Sequence, residues 1–165
     1  MEVTLEHAVL EAPAFAAEPL SAFSNVFQDA ELRDKVQHLE TMMFQMPGHA
    51  TELPVRHLFA KGLYARELTI PAGMVASGKV HCQEHLFIVS KGELSVLTES
   101  GPQRVRAPHI LVTQPGTKRV VFAHEDTVVT TVHATTETDV RVLEADLVAG
   151  SYGEYEVRRL ASPGD

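Results

Sequence analysis

One cysteine, Cys82, stands in a chain of 165 residues, so an internal disulfide cannot form and a cysteine-rich zinc module is excluded. That usage fits an intracellular setting. Long apolar runs are missing too: none reaches the roughly 18 residues that span a bilayer, and no charged start precedes an apolar stretch. The expectation is a cytoplasmic protein with no membrane partner. Positive charge is scarce, with 14 Lys and Arg against 22 Asp and Glu for a formal net charge of −8. A protein that binds phosphate backbones concentrates Lys and Arg on one face, so nucleic acid is excluded as a partner. The chain also lacks an internal repeat, a glycine-rich phosphate loop, the strand-helix alternation of a parallel α/β sheet and the signature of a serine or cysteine nucleophile.

What is present suits one domain with an appendage. Residues 1–56 read as a helical N-terminal extension, 57–150 as a β-barrel and 151–165 as a C-terminal tail whose last residues fray. In the extension, Leu32, Val36, Leu39, Met43 and Met46 recur at helical spacing. Asn25 with Gln28, or Asp29, is expected to cap the start, and Pro47 with Gly48 to end it. The stripe is too short for a coiled coil and is expected to pack on the barrel or on a partner chain.

Beyond residue 57 the period changes to that of strands. Runs at Leu63 to Ile70, His85 to Val89, Leu94 to Thr98, Ile110 to Thr113, Val120 to Ala123, Val128 to His133 and Val140 to Ala145 are separated by turns at Pro71 to Gly73, Gly92, Gly101, Gly116 and His124 to Thr127. Such spacing predicts an all-β sandwich or barrel. Within it lies Lys79-Val80-His81-Cys82-Gln83-Glu84-His85, which puts His81 and His85 on one strand face as two neighbouring ligands. Alternation turns Cys82 and Glu84 outward, Cys82 into packing and Glu84 to solvent or a neighbouring chain. If the strand begins only at His85, Glu84 becomes available as a base beside the site. His49 and His57 read as surface or packing residues, with His57 able to line the barrel mouth.

From about Leu63 to Val148 the chain resembles a cupin domain, a double-stranded β-helix of the jelly-roll type. Counting back from Gly92 along the first cupin motif puts His85 at the motif's glutamate, His81 at its second histidine, Lys79 at its first and Gly73 near its opening glycine. Along the second motif, Gln114, Pro115 and Gly116 stand at the opening, Arg119 where a histidine belongs and Ala123 where an asparagine belongs. The whole wording, including Tyr64 to Gly73 and Pro115 to Arg119, is also similar to short cupin proteins encoded by tailed bacteriophages and prophages. If the chain is phage-encoded, its location is the host cytoplasm. A metal-binding cupin typically offers three histidines and one glutamate. Here one of those histidines remains, so the resemblance implies a rearranged site, with Lys79 and Arg119 either swung outward or reaching a bound anion.

A third histidine is expected from across a hairpin. Residues 119–123 and 128–134 read as its two strands around the turn at Glu125 and Asp126. If His124 opposes Val128, then Arg119 opposes His133 and His133 points into the barrel. If Ala123 opposes Val128, His133 shares its face with His124. The spacing leaves both registers open. The resemblance places residues 119, 121 and 123 inward and so favours the first. It gives His81, His85 and His133 as metal ligands, His124 as the reserve, and Lys79, Arg119, Glu84 and His124 as contacts for a small-molecule ligand. Three imidazoles suit a divalent transition metal, Zn, Fe, Ni, Cu or Mn, without selecting among them.

Three functional readings follow. The first is a metal-binding cupin-domain protein acting as an enzyme on a small polar substrate, with an open coordination position for hydrolysis, isomerisation or oxygen chemistry. The second is a metal-free module for an anion or sugar. The third is a non-catalytic accessory or structural phage protein. A homodimer is expected, because the amphipathic helix and the strand edges both offer surfaces to a second copy.

Overall fold

A computed structural model of the chain describes residues 8–11, 20, 31–49, 52–98 and 100–162. Ten strands form two antiparallel sheets. Sheet one runs β1 (Ala8–Glu11), β4 (Met74–Ser77), β10 (Val120–Ala123), β7 (Glu93–Thr98), β8 (Gly101–Arg106). Sheet two runs β2 (Val55–Ala60), β3 (Leu63–Ile70), β11 (Thr127–Ala134), β6 (His85–Lys91), β9 (His109–Thr113). The chain passes repeatedly between the sheets, as at β3 to β4, β6 to β7, β8 to β9, β9 to β10 and β10 to β11. This antiparallel crossing pattern is the double-stranded β-helix of a jelly-roll barrel. A two-stranded ladder of β5 (Val80–His81) with β12 (Val148–Ala149) lies beside it. Three helices are described in full: α1 (Leu32–Gln45), α2 (Val140–Leu147) and α3 (Tyr152–Ala161). No helix among the described residues is long and apolar enough to cross a membrane.

Two apolar cores explain the strand patterns. Strand β10, Val-Val-Phe-Ala, is buried at every position, because its two faces meet different partners. Val120 and Phe122 pack outward against Val36, Leu39 and Met43 of α1, while Val121 and Ala123 enter the barrel interior with Leu68, Val89 and Val129. A strand covered on both sides needs no polar alternation. The helical stripe thus packs on the barrel. An ion pair reinforces that contact: Lys118 Nζ lies 2.5 Å from Glu40 Oε2 of α1, and Ser77 Oγ donates to Glu40 Oε1 at 3.0 Å.

Helix α1 begins with Glu31 as its N-cap, without a side-chain cap; the expected caps at Asn25, Gln28 and Asp29 fall outside the described residues. At its end Met46 turns extended, and Gly48 takes φ 81°. Gly92, between β6 and β7, has φ 80°, and a Cβ there would stand 2.6 Å from Asp126 O. This turn therefore requires glycine on both conformational and steric grounds.

The structure overturns three readings of the sequence. Residues 119–123 and 128–134 are not a hairpin: β10 pairs with β4 and β7, and β11 with β3 and β6. The short connection at Glu125 and Asp126 carries the chain from one sheet to the other. The run at Val140 to Ala145 is a helix, not a strand. Asp139 accepts a hydrogen bond from Arg141 N as its N-cap, and Leu143 and Leu147 fall on its buried face at helical spacing. Finally, His81 and His85 do not share a strand, since β5 ends at His81 and β6 starts at His85.

Candidate metal centre and its pocket

His81, His85 and His133 converge at one end of the barrel. Each offers one ring nitrogen, and the three nitrogens lie within 4.8 Å of one another. Four residues of straight strand would carry His85 about 13 Å from His81. Instead the chain turns through Cys82 to Glu84, and the two ring centroids stand 4.1 Å apart. The turn is held from three sides: His81 N donates to Thr117 O, Gly116 N to His81 O and Cys82 N to Leu147 O. His133 comes from β11, its ring 4.6 Å from that of His85 and 5.9 Å from that of His81.

The hydrogen bonding of these rings fits a metal. His85 Nδ1 lies 3.0 Å from Gln83 O. A carbonyl only accepts, so Nδ1 carries the proton and Nε2 presents its lone pair. That Nε2 is buried, as are Nδ1 of His81 and Nδ1 of His133, and none has a hydrogen-bond partner among the described residues. A ligand imidazole fixed through its other nitrogen is the usual support of a metal site. Charge agrees with this. Burial lowers the pKa of all three histidines: His133 falls to about 4, His85 is lowered, and His81 lies well below its ordinary value, pushed further by the other two rings and by Arg119 and Arg66. All three are neutral near pH 7, the state that can coordinate.

Below the histidines opens a cavity of about 100 Å³. Strand register orders its wall. His133 pairs with Tyr64, Thr131 with Arg66, and Val129 with Leu68, while Thr131 and Val129 pair on the other side with Phe87 and Val89. From sheet one comes Val121, with Arg119 just before β10, its guanidinium carbon 4.6 Å from the centroid of the Phe87 ring. Helix α2 closes one side with Leu143, Glu144 and Leu147. Burial lowers the Arg119 pKa to about 10, so the group stays charged at neutral pH. Glu144 moves upward, chiefly through burial, with Arg66 and Lys79 opposing the shift.

Among the residues singled out from sequence, His81, His133, Lys79 and Arg119 line this cavity, and His85 is buried beside them. Glu84 is exposed and accepts a hydrogen bond from Gln114 Nε2 at 2.9 Å. His124 lies elsewhere: its Nε2 is 2.8 Å from Ser95 Oγ, and its ring meets Phe122 edge-on. Cys82 packs beside the cluster of Val80, Ala149 and Tyr155. Exposed His57 places Nδ1 2.7 Å from the Tyr64 hydroxyl, behind the ring that stacks on His133. Sequence reasoning missed Arg66 and Glu144. The signal for Arg66 was available: it interrupts the inward row Tyr64, Leu68, Ile70 of β3 with a cation.

The chain matches no protein-family model and no curated protein sequence. Solved structures similar to it include cupin proteins and acetylacetone dioxygenases. One is an acetylacetone dioxygenase from Acinetobacter johnsonii, 18% identical over 65% of this chain and 76% of that one, with a TM-score of 0.42. Another is a candidate acetylacetone dioxygenase from Methylibium petroleiphilum, 15% identical over 48% of this chain, with a TM-score of 0.41; this chain covers 60% of its length. A third is an RmlC-like cupin family protein with a double-stranded β-helix fold from Methanocaldococcus jannaschii, 16% identical over 53% of this chain and 84% of that one, with a TM-score of 0.43. What those proteins act on stays with them.

Proposed function

We propose that this chain is a metal-dependent enzyme in which His81, His85 and His133 hold a divalent transition metal ion over the barrel cavity, where a small polar substrate is bound. One observation carries the reading: three neutral imidazoles bring ring nitrogens within 4.8 Å of one another, and the described residues leave one buried nitrogen on each without a partner. When bound, such an ion supplies Lewis acidity and a coordination position for water, oxygen or substrate. The chain's own residues do the rest. Gln83 O fixes the tautomer of His85, Tyr64 walls the site behind His133, and the apolar side chains of the barrel keep bulk water from its floor. Calorimetric titration with Zn²⁺ is expected to saturate at about one ion per chain, with the heat lost in His133→Ala. No saturable binding to the intact chain would sink the proposal.

We also propose that the protein is a homodimer, joined through the outer face of sheet two. Register aligns Leu58, Ala65, Val132, Leu86 and Val112 in one row across all five strands. At the β9 edge, Val112 is 55% exposed and its neighbour Ile110 62%. An exposed apolar band of this kind marks an association surface. A second copy is the occupant favoured here, since a two-fold axis brings the same row against itself.

A further inference from the structure

The cavity has an order of chemistry along its depth. Inward residues of β3 and β11 descend in paired layers about 7 Å apart, two residues per step. The first layer carries Tyr64 and His133, the second Arg66 and Thr131, the third Leu68 and Val129. Arg119 joins the second layer through its contact with Phe87, which itself pairs with Thr131. A metal centre, a cationic ring and an apolar floor thus follow one another down the barrel.

Charge in this cavity runs against that of the whole chain. The protein carries a formal −8, yet Lys79, Arg66 and Arg119 line the cavity against one carboxylate, Glu144, three positive groups less one negative. Arg119 Nη1 is buried without a hydrogen-bond partner among the described residues. A guanidinium that leaves a buried N–H unpaired on a pocket is suited to an anionic oxygen, and its planar fork to a carboxylate.

We infer that the cavity binds a short-chain organic carboxylate, its carboxylate held by Arg119 in the cationic layer beneath the histidines and its hydrocarbon chain lying on Leu68, Val121 and Val129. This rests on the metal-centred reading above and names the class of substrate for that same site. A volume of about 100 Å³ limits the occupant to a small molecule. The apolar floor distinguishes it from inorganic phosphate or sulfate, which would gain nothing from the third layer. It also disfavours a sugar, whose hydroxyls would lose water there without partners.

The test is calorimetric titration of the full chain with acetate, butyrate, butyramide and butylammonium, each with and without Zn²⁺. Butyrate is expected to bind, more tightly than acetate by about fourfold for each added methylene, and neither the neutral amide nor the ammonium should bind. Arg119→Gln is expected to weaken butyrate by about tenfold or more while leaving Zn²⁺ binding intact. Arg119→Lys, which keeps the charge, should fall between and should melt near the parent, so that loss of folding is separated from loss of the guanidinium. Equal binding of butyrate and butyramide, or Arg119→Gln binding butyrate like the parent, would overturn the inference even if Zn²⁺ binds. Arg119-dependent butyrate binding in a chain that takes up no Zn²⁺ would support the ligand class and overturn the metal centre instead.

Discussion

The rings of His81 and His85 lie 4.1 Å apart, centroid to centroid, because the chain between them turns instead of running straight. The ladder of β5 with β12 makes that turn, since Val148 pairs with His81 and Leu147 O accepts from Cys82 N. The three-histidine cluster is therefore built jointly by the barrel and by the segment that follows α2. Replacing either histidine should act on metal binding first. His81→Ala and His85→Ala are each expected to weaken Zn²⁺ by about a hundredfold or more, beyond what loss of a supporting contact costs. His124→Ala, whose imidazole lies against Ser95 and Phe122, should bind Zn²⁺ like the parent in the same titration.

Acid should destabilise the metal-free chain in a defined window. The folded pKa of His133 is lowered from 6.5 to about 4, mainly by burial, with His85 and Arg66 adding to the shift. Between those values the unfolded chain binds a proton that the folded chain refuses, so stability rises with pH there and falls as pH drops from about 6.5 toward 4. Each such imidazole contributes a slope of up to about 1.4 kcal/mol per pH unit. Urea unfolding at pH 7, 6 and 5 should show that loss, and His133→Gln should reduce it, with His81 and His85 supplying the remainder.

Glu40 joins α1 to the barrel through a cation that has little access to water, the Lys118 side chain being 4% exposed. Removing the acid strands that charge. Glu40→Ala is expected to cost about 3 kcal/mol in chemical denaturation, and Glu40→Gln, which keeps a hydrogen-bond acceptor for Ser77, somewhat less.

The apolar band on sheet two gives the oligomer its test. Ile110→Glu places a charge at the most exposed apolar residue of the β9 edge. Light scattering should then report a monomer where the parent is a dimer, with the melting curve of the barrel little changed.

Much of the barrel is legible in the sequence where one face of a strand is wet and the other dry. Leu63–Ile70 is observed with the bounds its alternation predicts. Strand β8, Gly101–Arg106, escapes because it opens with Gly and Pro and carries Gln and Arg, as suits an edge strand with little to bury. Val140 and Val142 favour a strand on propensity alone, yet the Asp139 cap and the spacing of Leu143 and Leu147 decide for a helix. The convergence of the three histidines was anticipated through a hairpin that does not exist. His133 reaches the site because β11 lies between β3 and β6, a pairing of strands distant in sequence that local spacing cannot reveal. Arg66 is legible on its own strand as a cation in an inward row, but only the opposing sheet, which brings Arg119, makes it part of a cationic layer.

The central claim is that three histidines hold a metal, and elemental analysis of protein purified without a histidine tag tests it most directly. About one equivalent of a divalent transition metal per chain is expected, either as purified or after incubation with excess metal and desalting, with that metal lost in His81→Ala. Less than about a tenth of an equivalent under both conditions would contradict it.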